Sequence, residues 1–275
     1  MIGLKGPETV NHQGHCLGHI DIGGFQVANG KSGFGNNCFL ANVTTTGFKK
    51  SRADFQDLMY QIMKVPGSQS SADTTSPTGI QVGLGVRPAA VQKIFTEGDL
   101  IQTGNELDVA IEGSGFFQVE MPNGTTAYTR AGAFKRDGDG RVTTSDGYPI
   151  LPAITIPDGS RQITIGETGI VSAIIGADNT STEIGAFETA TFTNNSGLTA
   201  VGRNLFVESA ASGTAQTAVP GDDGYGTLGQ NYLEGSNVNI VEELALMITT
   251  QRAYEINSKS IQTSDEMMQT TNNLV

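Results

Sequence analysis

Tryptophan is missing altogether, cysteine occurs twice, and Lys and Arg supply 16 residues against 28 Asp and Glu in a chain of 275. With only Cys16 and Cys38 there can be at most one internal disulfide, so a disulfide-stapled scaffold is excluded and cysteine usage leaves the compartment open. A formal net charge of −12 removes the broad positive surface that a phosphate backbone requires, which argues against a nucleic-acid binder. No apolar run approaches the roughly 18 residues of a membrane-crossing helix. Met1 to Gly30 lacks the basic start and apolar core of a secretory signal, so any export is expected to proceed without a cleaved signal peptide. Histidine stops at His19, which leaves a Ser-His-Asp catalytic arrangement only the first stretch to draw on. Nothing in the spacing of the acidic residues singles out a catalytic pair.

What the chain has instead is glycine, 36 residues of it, with Ser, Thr and Asn in place of charge: charged residues are 16%, against about 25% in an ordinary soluble domain. At roughly 150 residues per domain the length allows one large domain or two smaller ones. The clearest order lies at the C-terminal end. Ile240, Met247, Tyr254, Ile261, Met268 and Val275 recur at seven-residue intervals, with Leu244 between the first two, and Leu246, Ala253, Ser260, Met267 and Leu274 form a second row one residue behind. A seven-residue repeat keeps one stripe of a helix facing a partner. Asn239 followed by Glu242 fits a helix start of capping-box type, and no Pro or Gly interrupts 236–275. The spacing predicts one helix over about 239–272, long enough to need a partner. Phe48, Phe55 and Ile62, with Met59 between the last two, have the same spacing and predict a second helix over about 50–64, stopped by Pro66-Gly67.

Between them the pattern changes to strand and turn. Leu107, Val109 and Ile111, then Phe117, Val119 and Met121, alternate as in a half-buried strand pair or one bent strand. Asn123-Gly124, Asp137-Gly138, Asp139-Gly140 and Asp146-Gly147 are turn dipeptides, and Pro157-Asp158-Gly159 separates Ile154/Ile156 from Ile163/Ile165 as a hairpin would. Residues 90–229 read as a β domain of short antiparallel strands. Residues 66–89, and the similar composition of 209–229, read as linkers or extended arms. The first 37 residues contain nine glycines, a helix penalty on the order of 9 kcal/mol, so no long helix is expected there. His12, His15, Cys16 and His19 lie close enough together to suggest a metal site, but no second ligand pair follows and metal binding is the weaker reading. Gly30-Lys31-Ser32 lacks the glycine a phosphate loop needs five residues earlier, where Phe25 stands. Asp137, Asp139 and Gly140 miss a calcium loop because Arg141 and Tyr148 occupy ligand positions. No catalytic, cofactor or metal site is expected.

Several longer stretches carry a resemblance. SNVNIVEELALMITTQRAYEINSKSIQTSDEMMQ at 236–269 resembles the C-terminal signature of bacterial flagellar rod and hook proteins. LANVTTTGFK at 40–49 resembles their N-terminal motif, and DVAIEGSGFFQV at 108–119 with YTRAGAFKRDGDGRVTTSDGYPILP at 128–152 resembles the start of their β domain. PGSQSSADTTSPTGIQVGLGVRP at 66–88 is most similar to the distal-rod members, with a proximal rod or hook-type subunit the nearest alternative and a soluble secreted β-rich enzyme or adhesin the more remote one. The resemblance implies an α+β fold in which the long C-terminal helix forms a coiled coil with an N-terminal helix on the inner side of the tube, with a β-rich middle of short antiparallel strands facing outward. It further implies a non-enzymatic subunit of the basal-body rod crossing the periplasm, exported by the flagellar type III apparatus and polymerising into a helical, torque-transmitting tube. Proximal rod, hook and ring proteins would be its other partners.

By that analogy Phe48, Phe55, Ile62, Ile240, Leu244, Met247, Tyr254, Ile261 and Met268 are expected at the assembly interface. The expected division is 1–38 atypical, 39–65 N-terminal motif and helix, 66–89 arm, 90–229 β domain and 230–275 coiled-coil helix. The departure is at the front. Family members place a long amphipathic helix before Asn-Asn-Leu-Ala-Asn, whereas here Asn36-Asn37 runs into Cys38-Phe39 before Leu40. A reading-frame or start-site difference upstream of about residue 39 is the expected cause, and a genuine Gly-rich replacement the alternative.

Overall fold

The computed structural model describes residues 38–175 and 180–273, except 68, 72, 73 and 76. The expectations for the first 37 residues, including the His/Cys cluster, Gly30-Lys31-Ser32 and any N-terminal helix, lie outside the described residues. The described chain divides into two units, one of residues 38–50 with 94–246 and the other of 51–93 with 247–273.

The first unit is the β domain, and its centre is the strand Phe116–Glu120. A tight turn at Asn123-Gly124 returns the chain: Gly124 takes φ +77°, its N–H donates to Met121 O at 2.9 Å, and Thr125 Oγ1 donates to Asn123 Oδ1 at 2.7 Å. The returning strand Thr126–Thr129 therefore pairs with Phe116–Glu120. Beyond it lie Leu205–Val207 and Thr199–Gly202; on the other edge Thr189–Thr191 and Ile150–Leu151 share the central strand, and Gln216–Ala218 lies outside, which completes a seven-stranded antiparallel sheet.

Because consecutive side chains point to opposite faces, Phe116 and Phe117 serve two separate cores. Phe117 and Val119 pack with Val109, Ile111, Phe134, Ile150 and Phe187, whereas Phe116 packs with Tyr128, Ala190, Phe192 and Phe206. The rings meet edge to face, Phe117 on Phe134 at 5.0 Å and Phe116 on Phe192 at 5.8 Å. Each such pair contributes about 0.5–1.5 kcal/mol beyond simple burial.

The domain corrects several expectations. Residues 109–112 and 116–120 neither pair with each other nor form one bent strand, since Val109–Glu112 pairs with Thr227–Gln230. Nor are they half-buried: Val109 to Ile111 and Phe116 to Val119 are all buried, because both faces of the central strand are covered. The turn at Asp158-Gly159 does not join a hairpin of 154–156 with 163–165. Ile156 N–H instead donates to Gly140 O at 2.7 Å, and Ser160–Ile165 pairs with Ile170–Ile175, which pairs in turn with Ser181–Ala186. Residues 209–229 are no free linker, because they contain Gln216–Ala218 and most of Thr227–Gln230, one strand for each of two sheets.

In the second unit the expected helix over 50–64 is a strand pair. Ser51–Asp57 pairs with Val86–Lys93, Tyr60–Lys64 with Ile80–Gly83, and Gln69–Ser71 with Thr74–Thr75, so residues 51–93 fold back on themselves as one long two-stranded ribbon. Three apolar positions seven apart fit a helix but do not fix one, and helix propensity is a weak prior when a partner strand supplies a ladder. The opposing strand cannot be helical through Pro88, and its own bulge accommodates that proline: Asp54 opposes Ala90 while Phe55 opposes Pro88, which skips Ala89. The arm foreseen at 66–89 is therefore only the outer part of a larger element. Isolated two-stranded ribbons are marginal in water, yet this one exposes Met59, Met63, Leu84 and Val91 at 82, 71, 61 and 70%.

The C-terminal helix stands as expected, Ile240–Asn273, 34 residues and about 51 Å long at 1.5 Å per residue. Asn239 caps it, its Oδ1 accepting from Val241 N–H at 3.0 Å and Glu242 N–H at 3.5 Å. The Glu242 carboxylate, instead of returning to the cap, lies 3.7 Å from Lys50 Nζ.

Candidate functional site

Where the chain leaves the β domain for the ribbon, returns from it, and leaves again for the helix, four segments close on one another. Gly47 makes the approach possible. It sits at φ +68°, and a Cβ there would lie 2.6 Å from Ala131 N, so both its conformation and its space exclude a side chain. Its N–H donates to Glu234 O at 2.8 Å, which brings the neighbouring Lys49 inward.

Lys49 and Glu234 are fully buried and ion-paired, and Lys49 Nζ also donates to Thr96 O at 2.6 Å. Glu234 Oε2 accepts from Arg130 Nη1 at 3.2 Å, and Gly98 N–H donates to Glu234 Oε1 at 3.2 Å. Arg130 is buried in turn, donating to Ile111 O at 3.4 Å and Gly113 O at 2.6 Å, with its guanidinium 5.4 Å above the Phe116 ring. One carboxylate thus holds two cations away from water. Burial pushes the Lys49 ammonium below its usual range, opposed by the Glu234 charge and reinforced by Arg130.

Asn237 makes a second tie. Its Oδ1 accepts from Lys50 N–H at 2.7 Å, and its Nδ2 donates to Ile94 O at 2.8 Å and Thr96 Oγ1 at 3.1 Å. Six residues further on, Glu243 is buried, with Oε2 unpartnered among the described residues; burial, and secondarily Glu242, raises its carboxyl above the usual range against the opposing effect of Lys50.

This arrangement is a structural clasp. Among the described residues no cluster of His, Cys, Asp and Glu is set to hold a metal ion. Asp137 and Asp139 occupy a hairpin turn, Asp139 paired with Arg141 at 3.1 Å.

The nine residues expected at an assembly interface lie in the segment before the ribbon, in the ribbon and along the C-terminal helix. Phe48 is half-buried with its ring 6.5 Å from Phe39. Phe55 and Ile62 lie in ribbon strands, 41 and 56% exposed, instead of on the helix face expected of them. Ile240, Leu244, Tyr254, Ile261 and Met268 are exposed along the C-terminal helix, and Met247 is half-buried. Lys49, Arg130, Glu234 and Asn237 were not foreseen as a site. The available signal was Lys, Arg and Glu set beside glycines in a chain poor in charge.

Known proteins share these segments. Residues 110–173 match the family model described as flagellar hook protein FlgE/F/G D1 domain, and 230–274 match that of the flagellar basal body rod FlgEFG protein C-terminal. A relative from Buchnera aphidicola subsp. Schizaphis graminum, the flagellar basal-body rod protein FlgG, is 53% identical over 230 residues, 84% of this chain and 88% of the relative. The chain belongs to the flagellar basal-body rod family. The rod proteins FlgG of Borreliella burgdorferi and Caulobacter vibrioides are 50 and 47% identical, each over 86% of this chain, with 89 and 90% of the relative covered. Of the clasp residues in this rod-family chain, Glu234 and Asn237 fall in the C-terminal match and Arg130 in the D1 match, while Lys49 lies outside both. No described helix is long and apolar enough to cross a membrane.

Proposed function

We propose that this protein is a non-enzymatic building block of the rod, of the distal-rod type, which polymerises into a helical tube and carries torque from motor to hook. The observation that carries the reading is the clasp: one buried carboxylate ties the segment before the ribbon to the segment before the helix, as a load-bearing subunit requires at the point where its chain ends leave the β domain. The exposed stripe of Ile240, Tyr254, Ile261 and Met268 then serves as a seam to an N-terminal helix or a neighbouring copy. Contacts repeated head to tail without closure grow a filament. The ribbon, with its uncovered Met59, Met63 and Val91, acts as an arm onto adjacent subunits. Proximal rod, hook and ring proteins are the remaining partners, and delivery is by the flagellar type III apparatus.

Ile261→Asp tests the seam. A charge there is expected to abolish rod assembly and motility while the isolated protein keeps its melting temperature, because Ile261 is 60% exposed. A fully motile strain carrying the substitution refutes the assignment.

A further inference from the structure

Lys50 and Ile94 face each other in an antiparallel pair, next to Ser51 and Lys93. Such a pair ordinarily exchanges two backbone hydrogen bonds. Here Ile94 N–H donates to Lys50 O at 2.9 Å, but the reciprocal bond is replaced by a side chain. The Asn237 carboxamide is spliced between the two groups, accepting from Lys50 N–H at 2.7 Å and donating to Ile94 O at 2.8 Å. A flipped amide would set donor against donor and acceptor against acceptor, so the orientation is dictated by the partners. The same residue donates its own N–H to Phe48 O at 3.4 Å, and its side chain reaches Thr96 O at 3.4 Å as well. Two residues later comes Asn239, the helix cap.

We propose that Asn237 is a positioning residue, a side-chain rung that fixes the first turn of the C-terminal helix against the strands at 48–50 and 94–96. The rung forms only when residues 234–239 are seated, so one carboxamide sets where the helix begins. In its assembly consequence the inference rests on the function proposed above; in its structural content it does not. Among side chains of this length, only a protonated aspartic acid likewise carries its acceptor and its donor on two separate atoms of one planar group.

That exception supplies the test. Hydrogen exchange on the full chain at neutral pH is expected to show the Lys50 and Ile94 amides about tenfold less protected in Asn237→Ala, the change that loss of one net hydrogen bond implies. The Phe117 and Val119 amides of the central strand should be unchanged. Asn237→Asp should show the same loosening at neutral pH, where a carboxylate faces the carbonyls of Ile94 and Thr96, and should recover protection as pH falls and the acid becomes a donor. The charged groups nearby, Lys50, Glu242 and Glu243, are the same in both proteins, so the unsubstituted chain is the baseline. Purified Asn237→Ala should remain folded yet polymerise at least tenfold less.

Unchanged protection at Lys50 and Ile94 overturns the proposal. So does an equal loss at Phe117 and Val119, which would make Asn237 a general stability residue, and so does a pH-independent Asn237→Asp. If the unsubstituted chain does not polymerise, the function reading fails, and the exchange measurements still decide the role of Asn237.

Discussion

Glu234→Gln and Lys49→Met should differ sharply, although they break the same ion pair. Glu234 balances two buried cations, Lys49 and Arg130, with side-chain exposures of 0 and 4%. Replacing it by an amide of the same shape removes the carboxylate that both cations are paired with, leaving Lys49 the weaker influence of Glu97, and an uncompensated buried charge costs about 3–5 kcal/mol. Lys49→Met removes a cation instead. Glu234 and Arg130 remain a balanced pair at 3.2 Å, the methionine stem fills much the same volume, and the main loss is the donor to Thr96 O. Thr96 is exposed and its carbonyl keeps the Asn237 Nδ2 contact at 3.4 Å, so the loss is that of one net hydrogen bond, about 1 kcal/mol. Against a total stability of about 5–15 kcal/mol, the first change threatens the fold and the second does not. Urea unfolding followed by far-UV circular dichroism and tyrosine fluorescence suits a chain without tryptophan. Glu234→Gln should be the more destabilised by about 2 kcal/mol. Equal losses, or a larger loss in Lys49→Met, would refute the view that Glu234 is the balancing charge.

Gly47→Ala should destabilise by more than about 2 kcal/mol, through a strained positive φ together with a Cβ 2.6 Å from Ala131 N, read as a lowered melting temperature. Glu243→Gln should melt above the unsubstituted protein at neutral pH. The folded-state pKa of Glu243 is raised, so the folded form binds more protons than the unfolded form in the window above 4.5; stability falls as pH rises through that window, and the advantage of the glutamine should vanish on acidification. Replacing residues 58–85 by an Asn-Gly turn keeps the ladder from Ser51↔Lys93 to Asp57↔Val86; it should leave the β domain's melting unchanged while preventing normal rods, as basal-body microscopy would show.

The C-terminal helix was legible because two apolar rows ran at seven-residue steps for over thirty residues without Gly or Pro, a pattern no strand reproduces. Asn123-Gly124 was legible because its conformation is local. The ribbon was not: Phe55 and Ile62 fit a helix spacing equally well, and what decides is a ladder to residues up to 42 positions away (Ser51 to Lys93), which local pattern does not encode. The pairing of 109–112 with 227–230 was hidden for the same reason. Lys49, Arg130 and Asn237 lay within the segments that carried the family resemblance, and Glu234 two residues before one of them. Spacing could not mark them, because Lys49 and Glu234 are 185 positions apart and their chemistry appears only once both are buried.

The central claim is that the chain is a subunit of the rod. Peptide mass spectrometry of basal bodies purified from the organism that encodes it tests that directly. Peptides from across residues 50–275 should be present in the basal-body fraction at levels matching other rod components. Their absence there, with the protein recovered only in soluble fractions, would contradict the claim.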